Sequence, residues 1–197
     1  MSKIFFTSDL HFGHENIIRL GQGRPFKTIE EHNQALIDNW NSVVKNDDLV
    51  YILGDVYVGV DCIYLEKIFR KLNGAKHCIL GNHDRKKEMA YLLNKNLIQS
   101  LRDYHELRYR DDRDDKVYRF CLFHYPILEF NGAFKNGSKS PTYIHCYGHI
   151  HNINSYQELY EKLGFKAYHV GVDTNNFTPV YINDIIDYFK EKEGKND

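Results

Sequence analysis

The sequence predicts an α/β protein built on a parallel sheet, and three observations support this. Short apolar runs alternate with segments of helical spacing. Each of the first three runs ends in a polar turn. The 197 residues suffice for one domain, spanning 1–197, with a sizeable core, and are too few for two domains of ordinary size plus a linker.

Lys3 to Thr7, holding Ile4-Phe5-Phe6, reads as the first buried strand and gives way to a polar turn from Ser8 to Gly13. From Thr28 onward Ile29, Asn33, Leu36, Ile37, Trp40, Val43 and Val44 follow helical spacing, and Thr28 with Glu31 makes a T-x-x-E capping box. Leu49 to Leu53 is the second strand, stopped by Gly54-Asp55; helical spacing returns from about Asp61 to Leu72 through Leu65, Ile68 and Phe69. Lys76 to Leu80 is the third strand, ending at Gly81-Asn82, and a helix is expected from Lys86 to about Asn94.

Beyond Ile98, Tyr104 to Tyr109 and Val117 to Phe123 read as a hairpin whose charged tip, Asp111 to Asp115, is expected to be only a solvated turn. Glu129 to Thr142, with two Asn-Gly pairs, Ser138, Lys139 and Pro141, is expected to be an exposed loop overhanging the site. Tyr143 to Tyr147, Ala167 to Gly171 and Val180 to Ile182 read as further strands. Asn183 is placed to cap a last helix through Phe189, with a frayed tail after Lys190.

Composition excludes some functions. Lys and Arg total 26 against 27 Asp and Glu, a formal charge of -1, so no overall positive field draws in nucleic acid or an anionic membrane. An anionic substrate must be attracted locally. The opening MSKIFFTSDLHFGHENII fits neither a signal peptide nor a membrane span, and a cytoplasmic location is the expectation. Cys62, Cys78, Cys121 and Cys146 show no C-x-x-C spacing, which favours buried free thiols over disulfides or a thiolate metal site.

The chemistry gathers where apolar runs end. Four such places carry metal-ligand types: Asp9-x-His11, Gly54-Asp55, Gly81-Asn82-His83-Asp84 and Gly148-His149-x-His151; His124, after Cys121-Leu122-Phe123, is a fifth. Each alone is a weak signal, since a single histidine at a strand end is more often a hydrogen-bonded structural residue. Together they imply a site, because a compact domain rarely places so many Asp, Asn and His at strand ends without one. The glycines fit sharp turns or close approaches that a side chain would block.

Carboxylate, amide oxygen and imidazole suit Mn²⁺, Fe, Zn²⁺, Co²⁺ or Ni²⁺, with Mn²⁺ the leading expectation. Two divalent ions with the carboxylates of Asp9 and Asp55 leave about two positive charges, enough to attract a phosphate and acidify a water.

In this order, D-x-H, G-D, G-N-H-D, H and G-H-x-H, the chain resembles the calcineurin-like metallophosphoesterase superfamily over residues 9 to 151. The resemblance implies a four-layer α/β/β/α sandwich with two central mixed sheets and the metal site at the strand ends. It assigns Asp9, His11, Asp55 and His151 to one metal, and Asp55, Asn82, His124 and His149 to the other. Asp55 then bridges, its two carboxylate oxygens holding both ions. A metal-bridging hydroxide would attack phosphorus in line. His83 would assist the leaving oxygen, with Asp84 orienting its ring.

The segment Gly54-Asp55-Val56-Tyr57-Val58-Gly59 departs from the G-D-x-V-D-R-G of Ser/Thr protein phosphatases, which argues against that branch. The small size is similar to compact bacterial and phage members and implies an open site.

Arg24 and His14, in the connection after the first strand, are the candidate substrate contacts, Arg24 for a phosphate. The competing readings are a surface arginine beside Pro25 and a peripheral histidine. His32, His77, His105, His145 and His169 fall outside the motifs and read as structural.

The expected function is hydrolysis of small phosphate esters, nucleotide-type phosphodiesters ahead of monoesters. A non-catalytic metal-binding scaffold is the alternative from another class. A metal-dependent nuclease is another alternative, although no basic or aromatic-basic stripe supports it.

Overall fold

Alternation of side chains across each strand decides how this chain stacks. In the computed structural model, which describes residues 2–19, 23–135, 141–152 and 155–194, the strands form two mixed sheets. The first contains β1 (Ile4–Thr7), β2 (Leu49–Leu53), β3 (Ala75–Ile79), β4 (Ser100–Arg102) and β9 (Val180–Tyr181) in the order β4-β3-β2-β1-β9, parallel except for β9. The second runs β5 (His105–Asp111), β6 (Lys116–Leu122), β7 (Thr142–Tyr147), β8 (Ala167–His169), with only β5 antiparallel to its neighbour.

Successive residues of β1 and β2 face opposite ways. Phe5, Val50 and Ile52 pack under α1 (Ile29–Val43), α2 (Cys62–Phe69) and α3 (Lys86–Asn94), against Leu36, Trp40, Leu65 and Met89. Phe6, Tyr51 and Leu53 face Phe120, Leu122 and Ile144 of the second sheet. The outer face of that sheet, through Cys121 and Tyr147, packs on Tyr160 of α4 (Ser155–Lys162). The layers therefore follow α/β/β/α, as expected. α5 (Ile182–Glu193) adds Ile182, Ile185, Ile186 and Phe189 to the core between the sheets. Cys78, Cys121 and Cys146 are buried free thiols, and Cys62 is free at the start of α2.

Several expectations need correction. The capping box holds, Thr28 Oγ1 accepting the Glu31 N–H at 3.2 Å. Asn183, however, caps nothing; its side chain bonds the hydroxyls of Tyr109 and Tyr181, and α5 starts at Ile182 and continues past Lys190 to Glu193. The charged tip is not merely solvated. Asp111 is fully buried, accepts from Arg113 and pairs with Lys190, while Arg113 reaches Asp187, so the tip is fastened to α5.

In the described part of the 129–142 loop, Phe130 and Ala133 cluster with Ile150 of the His149–His151 turn. Phe130 and Ala133 pack on the outer face of the second sheet; Lys139 and Ser138 lie outside the described residues. β4 escaped the sequence reading because three residues at a sheet edge are too short to show a period. α4 escaped it because its buried face rests on Tyr160 rather than on aliphatic residues.

His145 is fully buried in β7, with Nδ1 3.1 Å from the Cys121 carbonyl and Nε2 3.1 Å from that of Tyr125. Burial lowers its pKa from 6.5 to about 4. Between those values the unfolded chain binds the proton and the folded one does not. The contribution is whole above pH 6.5 and is lost as pH falls towards 4, up to about 3 kcal/mol. The urea midpoint of metal-free protein is expected to be lower at pH 5 than at pH 7.5, with a smaller difference in His145→Asn; equal differences in the two proteins would refute this.

Candidate metal centre

The turns at the strand ends are built in a backbone conformation that side chains disfavour. Asp9, His11, Asp55, His149 and His151 all have φ between 49° and 72°, a left-handed region costing about 1–3 kcal/mol per residue. Hydrogen bonds between turns hold them there. The N–H groups of Asp9 and His11 donate to the carbonyls of Gly54 and Asp55, each at 3.0 Å. The His149 N–H donates to Asp9 Oδ1 at 3.0 Å, tying the last motif to the first. Two glycines mark close approaches: a Cβ on Gly81 would lie 2.3 Å from Asp55 Oδ1, and one on Gly148 2.5 Å from Asp9 Oδ2.

The side chains so presented form two adjacent clusters. Asp9, His11 and His151 offer donor atoms within 4.8 Å of one another, and so do Asp55, His124 and His149. Asn82 Oδ1 joins the second, 3.0 Å from both His124 Nε2 and His149 Nδ1. Asp55 lies between: Oδ2 is 3.7 Å from His11 Nε2 and 3.4 Å from His124 Nε2. Its other oxygen, Oδ1, is engaged by the His83 N–H at 3.0 Å. Oδ2 is thus the Asp55 oxygen that faces both clusters.

Three imidazoles are oriented through their second nitrogen, as ligand histidines generally are. His124 Nδ1 donates to the Leu53 carbonyl at 2.8 Å, His151 Nδ1 meets Asp173 Oδ2 at 2.7 Å, and His11 Nδ1 lies 3.2 Å from His14 Nδ1. Burial lowers the His11 pKa to about 2 and raises that of Asp9 to about 6. Burial also opposes ionisation of Asp55, but the hydrogen bond and charge of His124 outweigh it and hold the carboxyl at about 2.

Divalent cations fit this donor set. His11 Nε2 is buried without a hydrogen-bond partner among the described residues, on a ring kept neutral.

Asp84 has a different job from the one expected. Oδ2 accepts the N–H groups of Asp55 and Gly81, and Oδ1 that of Val56, all at 2.9 Å. It fixes the Asp55 turn rather than the His83 ring, and burial raises its pKa to about 6. His83 stands at the solvent side, its side chain 44% exposed and Nε2 4.0 Å from Asp55 Oδ2. His14 is half-buried at the same rim, its ring 6.2 Å from that of His83.

Arg24, expected to meet a phosphate, is buried with every N–H engaged. Nε and Nη2 grip Asp173 at 2.9 Å each, Nη1 meets the Leu10 carbonyl at 3.1 Å and His32 Nε2 at 2.7 Å, and Nη2 also donates to the Asp9 carbonyl at 2.6 Å. It holds the turn carrying Asp9.

Sequence reasoning missed Asp173 and His169. Asp173 joins Arg24 to His151, and its signal was Gly171-Val172-Asp173, another glycine and acid after a strand. His169, read from sequence as structural, has Nε2 buried without a hydrogen-bond partner among the described residues, 4.0 Å from Asp9 Oδ2, so it borders the centre.

A two-sheet sandwich with paired Asp/His clusters where its strands end has the architecture of a metal-dependent phosphoesterase. The family model described as calcineurin-like phosphoesterase matches residues 2–192, and the chain belongs to that family. An uncharacterised protein of Methanocaldococcus jannaschii is 31% identical over 191 residues, 94% of this chain and 90% of that one. The Gene 66 protein of Mycobacterium phage L5 is 40% identical over 86 residues, 43% of this chain and 41% of its own length. A solved structure of a protein of unknown function from Aquifex aeolicus shares the fold, with a TM-score of 0.70 and 24% identity over 95% of this chain and all of that one.

Asp173→Asn removes the charge that orients His151 and balances Arg24. Calorimetric titration with Mn²⁺ is expected to show binding weakened about 10–100-fold, chiefly in one of two steps; unchanged affinity in both steps would refute the role.

Proposed function

We propose that the chain, as one catalytic domain, hydrolyses small phosphodiesters of nucleotide type in preference to monoesters, at a centre for two divalent cations. The observation that carries this reading is Asp55 Oδ2, 3.7 Å from His11 Nε2 on one side and 3.4 Å from His124 Nε2 on the other. Asp9, His11 and His151 would hold one ion; Asn82, His124 and His149 the other; Asp55 would serve both. When bound, the ions supply positive charge for the phosphate and the Lewis acidity that makes a nucleophile of water at neutral pH.

The remaining work falls to side chains. His83, on the exposed side of Asp55, is positioned to give a proton to the departing oxygen. Its N–H bond to Asp55 Oδ1 keeps the ring at a fixed reach from the shared oxygen. Asp84 and the Arg24–Asp173 pair hold the turns that aim the ligands. His14 serves at the rim, orienting His11 and bordering the substrate. The engagement of Arg24 supports the diester preference. A monoester carries one more negative charge, and the cation expected to meet it is already paired with Asp173.

The test is to strip the protein of metal, restore Mn²⁺ in steps and compare bis-p-nitrophenyl phosphate with p-nitrophenyl phosphate. Turnover is expected to follow added metal, to favour the diester and to fall at least about a hundredfold in Asp55→Asn. Metal-independent turnover, or none with any divalent ion, would overturn the reading; faster cleavage of the monoester would overturn the preference.

His83→Ala is expected to cost about 10²–10⁴-fold on a diester with an alkoxide leaving group and much less on the nitrophenyl ester, whose leaving group needs no proton. Equal losses on both esters would assign His83 another role.

A further inference from the structure

Beside the second cluster runs a row of aromatic rings that the chemistry above does not use. Tyr125 lies 4.7 Å from the ring of His149 and 4.9 Å from that of His124. Phe123 follows at 5.5 Å from Tyr125, and Tyr104 at 6.3 Å from Phe123. Tyr125 and Tyr104 are 36% and 39% exposed, and Phe123 is half-buried. Large rings left in water, contiguous and abutting a catalytic centre, are the usual material of a recognition surface.

Two features suit this row to a ligand rather than to random exposure. It is anchored at both ends: the Tyr125 carbonyl lies 3.1 Å from Nε2 of the buried His145, and the Tyr104 hydroxyl donates to Glu106 Oε1 at 3.0 Å. A surface ordered beforehand costs little to organise on binding. It also begins where a phosphate would sit, so a substituent on that phosphate meets Tyr125 first.

We propose that Tyr125, with Phe123 and Tyr104 beyond it, is a stacking subsite for one planar ring of the phosphodiester, a nucleobase in a nucleotide-type ester. This rests on the function proposed above and names the part of the substrate that would be recognised. The far end of the row sets the size of the ligand. Glu106, accepting from Tyr104 and from Asn131 Nδ2 at 2.9 Å, puts a carboxylate at the far end of the row, which would repel a further phosphate and so disfavours a strand.

The experiment compares adenosine 5′-monophosphate with ribose 5-phosphate, which carries an anomeric hydroxyl in place of the base, by calorimetry on the Mn²⁺-loaded protein. The nucleotide is expected to bind about 5–100-fold more tightly, the range for stacking one base on an aromatic side chain. Tyr125→Phe should keep the ratio. Tyr125→Leu, or the double variant with Tyr104→Leu, should bring the ratio of the two affinities towards one.

Equal binding of the two ligands by the native protein would overturn the proposal, as would a ratio that survives in the double variant. Turnover of bis-p-nitrophenyl phosphate by the same preparation reports separately on the underlying function. Base preference without turnover would remove the enzymatic reading and leave the subsite; turnover without base preference would do the reverse.

Discussion

Backbone N–H groups answered by carboxylates are the interaction on which the centre depends. Asp84 accepts from Gly81, Asp55 and Val56, Asp55 accepts from His83, and Asp9 accepts from His149. All but the Gly81–Asp84 bond, which closes its own turn, join turns that leave different strands. Together they hold five left-handed residues whose combined strain would otherwise relax the turns into ordinary loops. The arrangement also explains why Asp55 faces both clusters with one oxygen, since the other is committed to the scaffold.

A second layer of charge keeps the first in place. Arg24 and Asp173 are buried as a bidentate pair, which avoids the penalty of an isolated buried charge. Their remaining hydrogen bonds go to the Asp9 and Leu10 carbonyls and to the His32 and His151 rings. One ion pair thus steadies both the strand exit that offers Asp9 and the imidazole that faces it. Arginine suits this position because five N–H donors in a rigid fork can meet five acceptors at once.

Most of the sheet scaffold was legible in the sequence because strands such as Leu49–Leu53 and helices such as Ile29–Val43 carry their period in apolar residues. The division of the motif residues into two clusters was legible only through the family resemblance, since sequence order does not tell which strand ends meet. Asp84 and Arg24 were misjudged for one physical reason. A charged residue near a motif reads as chemistry, whereas both are engaged by backbone groups that sequence cannot display. Asp173 went unseen because its partners lie 22 and 149 positions away. The Asp111 tip was read as solvated since nothing in its charge run announces a partner on the final helix.

The clusters draw Asp9, His11, Asp55 and Asn82 from turns of the first sheet and His124, His149 and His151 from turns of the second, with Asp173 following β8. No single turn of the chain holds a complete centre. During synthesis on a ribosome, a nascent chain would carry all the separate ligands well before the loop bearing Asp173 emerges to align them. Competence for chemistry therefore arrives late and together with the closing of the sandwich, as expected of a site assembled from contacts distant in sequence. A chain interrupted before that point would scavenge metal loosely without turning over substrate.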